Sequence, residues 1–170
     1  AELLRDSNVA RFMAEEGIAT FADLRDRSIT EPEWFWDAVV RFCGVRFTRP
    51  YTHVVDTSDG APWAKWFTGG TTNLVLTCLD QHAADPDRAA QIAVDWEAED
   101  GTVRTLTWTE LRVLTDRIAA GLAARGVGAG DAVGLFLPMV PETVAALFAV
   151  AKLGAIILPI FSGYGADAVA

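Results

Sequence analysis

Apolar residues recur at helical spacing up to about Pro50 and return further on as short continuous runs, so the chain reads as two organisations in succession. Ser7 is placed to cap a short helix ending near Gly17, and Thr20 to cap another that ends before Ser28. Thr30 followed three residues later by Glu33 has the spacing of a capping box, with Pro32 in the first turn, where a missing N–H is no loss. The helix it opens carries Trp34, Phe35, Val39, Val40 and Phe42 and stops at Gly44. From Val45 to Gly70 the pattern breaks. Pro50, Pro62 and the Ser58-Asp59-Gly60 turn predict irregular chain there. A short helix is expected from Asn73 to about Ala84, ended by Asp85-Pro86-Asp87.

Regular alternation follows. Ile92–Glu97 and Val103–Trp108 flank a Glu99-Asp100-Gly101 turn and predict a hairpin. Thr107 with Glu110 makes a second capping box, opening a helix with Leu111, Leu114, Ile118 and Leu122 on one face and Gly126 as its stop. Ala132–Leu137 and Ala155–Ile160 are apolar without alternation, and a helix from Pro141 to Gly154 separates them. Such strands belong to a parallel sheet covered on both faces. The expected fold class is therefore α/β: an N-terminal helical arm within a helical and irregular region, residues 1–84, followed by the first βα units of a larger layered α/β domain with parallel strands, residues 85–170. Two such strands cannot bury both faces, which makes the chain the front portion of a larger protein.

Composition narrows the function classes. Hydrophobic residues make up 51% and charged residues 22%, enough for a core and too apolar for disorder. The mean hydropathy of +0.23 suggests apolar surface that expects more protein. A net charge of −9 and no basic run argue against nucleic acid and anionic membranes as partners. The two cysteines, Cys43 and Cys78, sit in apolar helical stretches and read as buried free thiols of a reducing compartment. Glu2, Arg5 and Asp6 do not suit a signal peptide, and Pro138, Pro141, Glu142, Lys152 and Gly154 interrupt the most apolar stretch, so a cytoplasmic location is expected.

Several residue groups invite a chemical reading and fall short of it. Gly69-Gly70-Thr71-Thr72 lacks the lysine and second glycine of a phosphate loop, and reads as a turn feeding a helix. Gly126, Gly128 and Gly130 end a helix and precede a strand, the reverse of a dinucleotide fingerprint. Cys78, Asp80 and His82 offer too few ligands for a metal, and His53 stands alone in a loop. The tryptophans Trp34, Trp36, Trp63, Trp66, Trp96 and Trp108 are scattered and read as packing residues. No catalytic set and no metal site emerge from the residues themselves.

The order of longer motifs is more specific. Trp66–His82, WFTGGTTNLVLTCLDQH, resembles the WFxGGxLNxxxNCLDxH block of acetyl-CoA synthetases, with Thr72 in place of the leucine. Pro32–Trp36 resembles that family's PxxFW helix, and Leu106–Leu111 its TYxEL motif. Gly126–Glu142 is similar to its GVxxGDxVxxxxPMxPE block, and Ala151–Ala170 to the stretch ending in FxGFSxEA. The resemblance covers nearly the whole chain past residue 30 and is to the acetyl-CoA-synthetase-like branch of AMP-forming acyl-CoA synthetases. It implies a parent enzyme, an acid–thiol ligase, that uses ATP and magnesium to convert a short carboxylic acid to an acyl-adenylate and then transfers the acyl group to coenzyme A. It also implies that Phe161, Ser162 and Gly163 match the stretch lying against the CoA nucleotide, with Ser162 departing from the usual small residue and Leu158-Pro159 from the usual His-Ser. The catalytic motifs of such enzymes lie later, so this chain alone is expected to be inactive and to depend on the remainder of its own chain. A free-standing, non-enzymatic module that self-associates is the alternative; delivery of the acyl group to a carrier protein is disfavoured by the PxxFW and WFxGG blocks.

Overall fold

The computed structural model describes residues 6–169, with side chains described for residues 6–167. Glu2 and Arg5 at the start and Ala170 at the end lie outside the described residues. The chain divides into two compact units, Ala1–Thr72 and Asn73–Ala170.

In the first unit, α1 (Asn8–Glu15) is capped by Ser7, whose hydroxyl accepts from the Ala10 N–H at 3.2 Å. Thr20 caps α2 (Phe21–Thr30) through the Asp23 N–H at 3.1 Å. Helix α2 runs past Ser28 to Thr30, and the expected capping box at Thr30 and Glu33 does not form. Thr30 instead donates its hydroxyl to the Asp26 carbonyl at 3.0 Å, while Glu31 precedes α3 (Pro32–Phe42) without a side-chain cap. Pro32 still occupies the first turn as expected. Phe12, Leu24 and Ala38 are buried at the centre, with Met13, Ile18, Trp34, Phe35, Val39 and Phe42 packed around them. Cys43 ends α3 exposed, not buried as its apolar neighbours suggested, because it stands past the helix's last residue at the open rim of the cleft lined by Phe12, Leu24, Val39 and Phe42. The segment read as irregular contains an antiparallel hairpin of β1 (His53–Asp56) and β2 (Lys65–Thr68), with a 3-10 turn at Ala61–Trp63 between them.

The second unit opens on a helical segment whose Leu76–Asp80 turn is π-helical and passes into α4 (Gln81–Ala84). The antiparallel hairpin of β3 (Ile92–Glu97) and β4 (Val103–Thr107) follows, as the alternation predicts. Helix α5 (Trp108–Ala123) begins with the expected capping box of Thr107 and Glu110. Strands β5 (Ala132–Leu135) and β6 (Ile156–Pro159) are parallel, joined through α6 (Pro141–Lys152), with Val133 opposite Ile157. A last turn, α7 (Ala166–Val169), follows β6. The fully buried positions of α5 are Leu111, Thr115 and Ala119, one turn apart, and those of α6 include Ala145, Ala149 and Val150. Val75, Leu79, Leu111 and Ala145 form the core between these elements. Alanines on α6 leave room for the larger residues of α5 to approach closely.

Candidate functional site

Ligands of open α/β sheets gather where parallel strands end at their carboxyl edge. In the second unit β5 and β6 end together, and the Ile160 N–H continues the ladder to the Leu135 carbonyl at 3.0 Å. The chain after β6 turns at once. The Tyr164 N–H donates to the Phe161 carbonyl at 3.0 Å, and the Phe161 and Tyr164 rings meet edge to face with centroids 5.5 Å apart. Phe161, Ser162 and Gly163, the residues singled out from sequence, thus occupy one tight turn at this edge, and all three are exposed. A Cβ on Gly163 would stand 2.6 Å from Phe161 Cε1, so the absent side chain lets the ring lie over the backbone. The turn offers aromatic faces and bare backbone, and no charged group.

Beside it, the loop from β5 to α6 is also apolar: Phe136, Leu137, Pro138, Met139 and Val140. Its shape is held by polar contacts from outside it and from α6. The Thr143 hydroxyl donates to the Pro138 carbonyl at 2.6 Å, and Trp96 Nε1 donates to the Met139 carbonyl at 2.6 Å. Both terminal guanidinium nitrogens of Arg104 reach the Glu142 carboxylate, Nη1 at 3.3 Å from Oε2 and Nη2 on Oε1. That hydrogen bond holds the Glu142 carboxyl below its ordinary pKa of 4.5 and raises Arg104 above its own. Trp96 was read as a packing residue from sequence and Arg104 was not singled out. Their placement opposite each other in the hairpin register was the signal that could have paired them.

The other sequence candidates are accounted for by structural contacts. Thr72 donates its hydroxyl to the Arg46 carbonyl at 2.5 Å, and the Asn73 side chain accepts from the Val75 N–H at 3.0 Å, so Gly69–Thr72 is a turn feeding a helix. Gly128 donates to Asp131 at 2.8 Å and Gly130 to the Gly154 carbonyl at 3.1 Å, in the connection from α5 to β5. His82 packs at a tilt on Trp108 with ring centroids 4.5 Å apart, its Nδ1 lying 3.1 Å from Arg88 Nη1. Asp80 accepts from Lys152 at 3.3 Å, and Cys78 is half-buried. His53 begins β1 rather than standing in a loop. Among the described residues, no group of three or more His, Cys, Asp or Glu side chains is arranged to hold a metal ion. No helix among them is long and apolar enough to cross a membrane.

The sequence model of AMP-binding enzymes matches residues 79–170, more than half of the chain. The chain belongs to the AMP-binding enzyme family. Within this family its first part is more specific, since the model of the acetyl-coenzyme A synthetase N-terminus matches residues 21–78. The acetyl-coenzyme A synthetase of Beijerinckia indica subsp. indica is 40% identical over 155 residues, covering 89% of this chain and 23% of the relative. That of Mycolicibacterium smegmatis is 38% identical over 137 residues, 79% of this chain and 14% of the relative. Among solved structures, acetoacetyl-CoA synthetase from Streptomyces lividans aligns with a TM-score of 0.90 at 32% identity, over 99% of this chain and 27% of that one. The chain of this AMP-binding family member therefore spans between about a seventh and about a quarter of the length of these relatives.

Proposed function

We propose that the chain is the N-terminal part of an AMP-forming acyl-CoA synthetase acting on a short, acetate-like carboxylic acid in the cytoplasm. In that parent enzyme ATP converts the acid to an acyl-adenylate with release of pyrophosphate, and the acyl group then passes to the thiol of coenzyme A. The observation that carries this reading is the uninterrupted succession of two family matches, the acetyl-coenzyme A synthetase N-terminus up to residue 78 and the AMP-binding enzyme from residue 79. The names of the relatives, acetyl- and acetoacetyl-CoA synthetases, support a short acid. In this reading residues 1–84 are the helical and irregular N-terminal region and residues 85–170 the start of the AMP-binding domain. The edge turn Phe161–Gly163 lies on the side that meets the CoA nucleotide.

The described residues do not fit the magnesium-dependent chemistry. They supply no metal-ligand cluster, and the segments Phe136–Val140 and Phe161–Tyr164 that follow β5 and β6 carry no charged side chain for phosphates. In this reading the catalytic motifs lie in the remainder of the parent enzyme, so the 170-residue chain by itself is inactive, and its role is to build the sheet edge and brace the large domain. The test has two parts. The coding frame past the Ala170 codon is read, and the purified 170-residue chain is assayed for acid-dependent ATP–pyrophosphate exchange. A continuing frame with a Ser/Thr/Gly-rich loop and a lysine, and no exchange by the chain alone, is expected. A stop codon there, with concentration-dependent dimers of the chain, would replace this reading by a self-associating binding module.

A further inference from the structure

The loop Phe136–Val140 is restrained locally around the Pro138 carbonyl, which accepts from the Val140 N–H at 2.9 Å and the Thr143 hydroxyl at 2.6 Å. It is wholly apolar, Val140 gives α6 no side-chain cap, and Met139 is 80% exposed. An exposed apolar loop before an uncapped helix has little reason to keep one shape. The β3–β4 hairpin supplies what is missing from a single cross-strand pair. Trp96 and Arg104 face each other in the antiparallel register. Trp96 holds the Met139 carbonyl, Arg104 holds the Glu142 carboxylate, and the guanidinium lies 5.8 Å from the centre of a Trp96 ring. The two anchors grip the chain on either side of Pro141, which is itself fully buried. A bidentate guanidinium–carboxylate pair fixes orientation as well as distance.

We propose that Trp96 and Arg104 are positioning residues for the coenzyme A side of the site, setting the loop so that the Met139 thioether meets the adenine face beside the Phe161–Tyr164 turn. This rests on the reading that the turn lies on the CoA side. The loop and the turn leave neighbouring parallel strands at the same edge. Phe136, Met139, Phe161 and Tyr164 are all substantially exposed, and neither segment carries a charged side chain. Their chemistry, aromatic rings with a polarizable sulfur, suits a flat uncharged ring and not a phosphate.

The test is kinetic, on the complete synthetase, with W96F, M139A, the W96F/M139A double variant, R104E and the charge-swapped R104E/E142R. Loss of the indole hydrogen bond in W96F raises KM for CoA about three- to tenfold. KM for ATP stays within about twofold, and so does KM for phosphopantetheine, an acceptor that lacks the adenine. The double variant loses no more than M139A, since Trp96 acts through the loop. R104E/E142R recovers most of what R104E loses. The proposal is overturned if KM for CoA does not move, if KM for ATP or phosphopantetheine rises in parallel, or if the W96F and M139A losses add. If the wild-type enzyme forms an acyl-adenylate yet never transfers to CoA, the underlying reading fails and this inference falls with it, an outcome visible before any variant is made.

Discussion

The side-chain amide of Asn73 donates to the main-chain carbonyl of Ala151 at 2.7 Å, across a sequence separation of 78 residues. The same side chain accepts from the Val75 N–H at 3.0 Å, so one residue caps the start of a helical segment and the end of α6 together. A few residues on, Asp80 meets Lys152 at 3.3 Å. Both ends of the Asn73–Asp80 segment are thus fastened to the last turn of α6. This gives a physical reason for asparagine and aspartate in the motif, with no chemistry required of either.

Replacing Asn73 measures that fastening. N73A removes two partly buried hydrogen bonds and is expected to cost about 2 kcal/mol, at roughly 1 kcal/mol for each. N73D still accepts from Val75 but cannot donate, and its charge faces the carbonyl end of a helix, so it costs more than N73A. Urea unfolding of the chain compares the two. An N73D variant as stable as wild type would show that the amide holds nothing.

A different outcome is expected at Thr115, whose hydroxyl is fully buried and has no hydrogen-bond partner among the described residues. T115V removes the orphaned group while keeping the branched shape, so stability stays level or rises by up to about 1 kcal/mol. T115S keeps the hydroxyl, loses the methyl, and is destabilising by roughly 1 kcal/mol. Thermal unfolding of the two variants orders them, and T115S above T115V would contradict the assignment.

What the sequence disclosed and what it hid divide along the range of the interactions. Ser7, Thr20 and the Thr107–Glu110 pair were legible because a cap is a contact within three residues, written in the sequence itself. Thr30 and Glu33 have the same spacing and fail, because the Thr30 hydroxyl turns back to the Asp26 carbonyl of the preceding helix. The β1–β2 hairpin was obscured by Pro50 and Pro62, which lie outside its strands, one before β1 and one in the connecting turn. The turn at Phe161–Gly163 was found through a motif, whereas Trp96, Arg104 and Asn73 act over 38 to 78 residues, which local pattern cannot carry.

Lys152 sets the expected alkaline behaviour of the second unit. Burial works against its charge, but the hydrogen bond to Asp116 at 2.6 Å and the attraction of Asp80 and Asp116 outweigh it, raising the pKa above 10.5. A group whose pKa is higher in the folded state contributes stability that is fully present below its unfolded value. That contribution is lost as pH rises through the folded value, here above about 10.5. K152M is expected to be less stable than wild type at pH 7 and to lack this component of the alkaline decline. Denaturant midpoints between pH 8 and 11 give the comparison, and parallel curves for the two proteins would refute it.

Two glycines that both sit against aromatic rings are expected to respond oppositely to alanine. A Cβ on Gly70 would lie 3.0 Å from both Phe47 Cε1 and the Phe67 main-chain oxygen. Phe47 is locked among Tyr51 and Phe67, with ring centroids 5.1 and 6.0 Å away, and the carbonyl cannot move without its hairpin. G70A is therefore expected to cost about 1–3 kcal/mol, the range for overpacking a fixed site. At Gly163 the clash is nominally worse, 2.6 Å, but the obstacle is the ring of Phe161, which is 68% exposed and can swing away. G163A should leave the unfolding midpoint within about 0.5 kcal/mol, as surface substitutions generally do. It should instead separate the Phe161 and Tyr164 rings, read as loss of the mutual ring-current shifts in their proton spectra. A large stability loss with the ring pair intact would mean that the turn, not the ring, yields to the new methyl group.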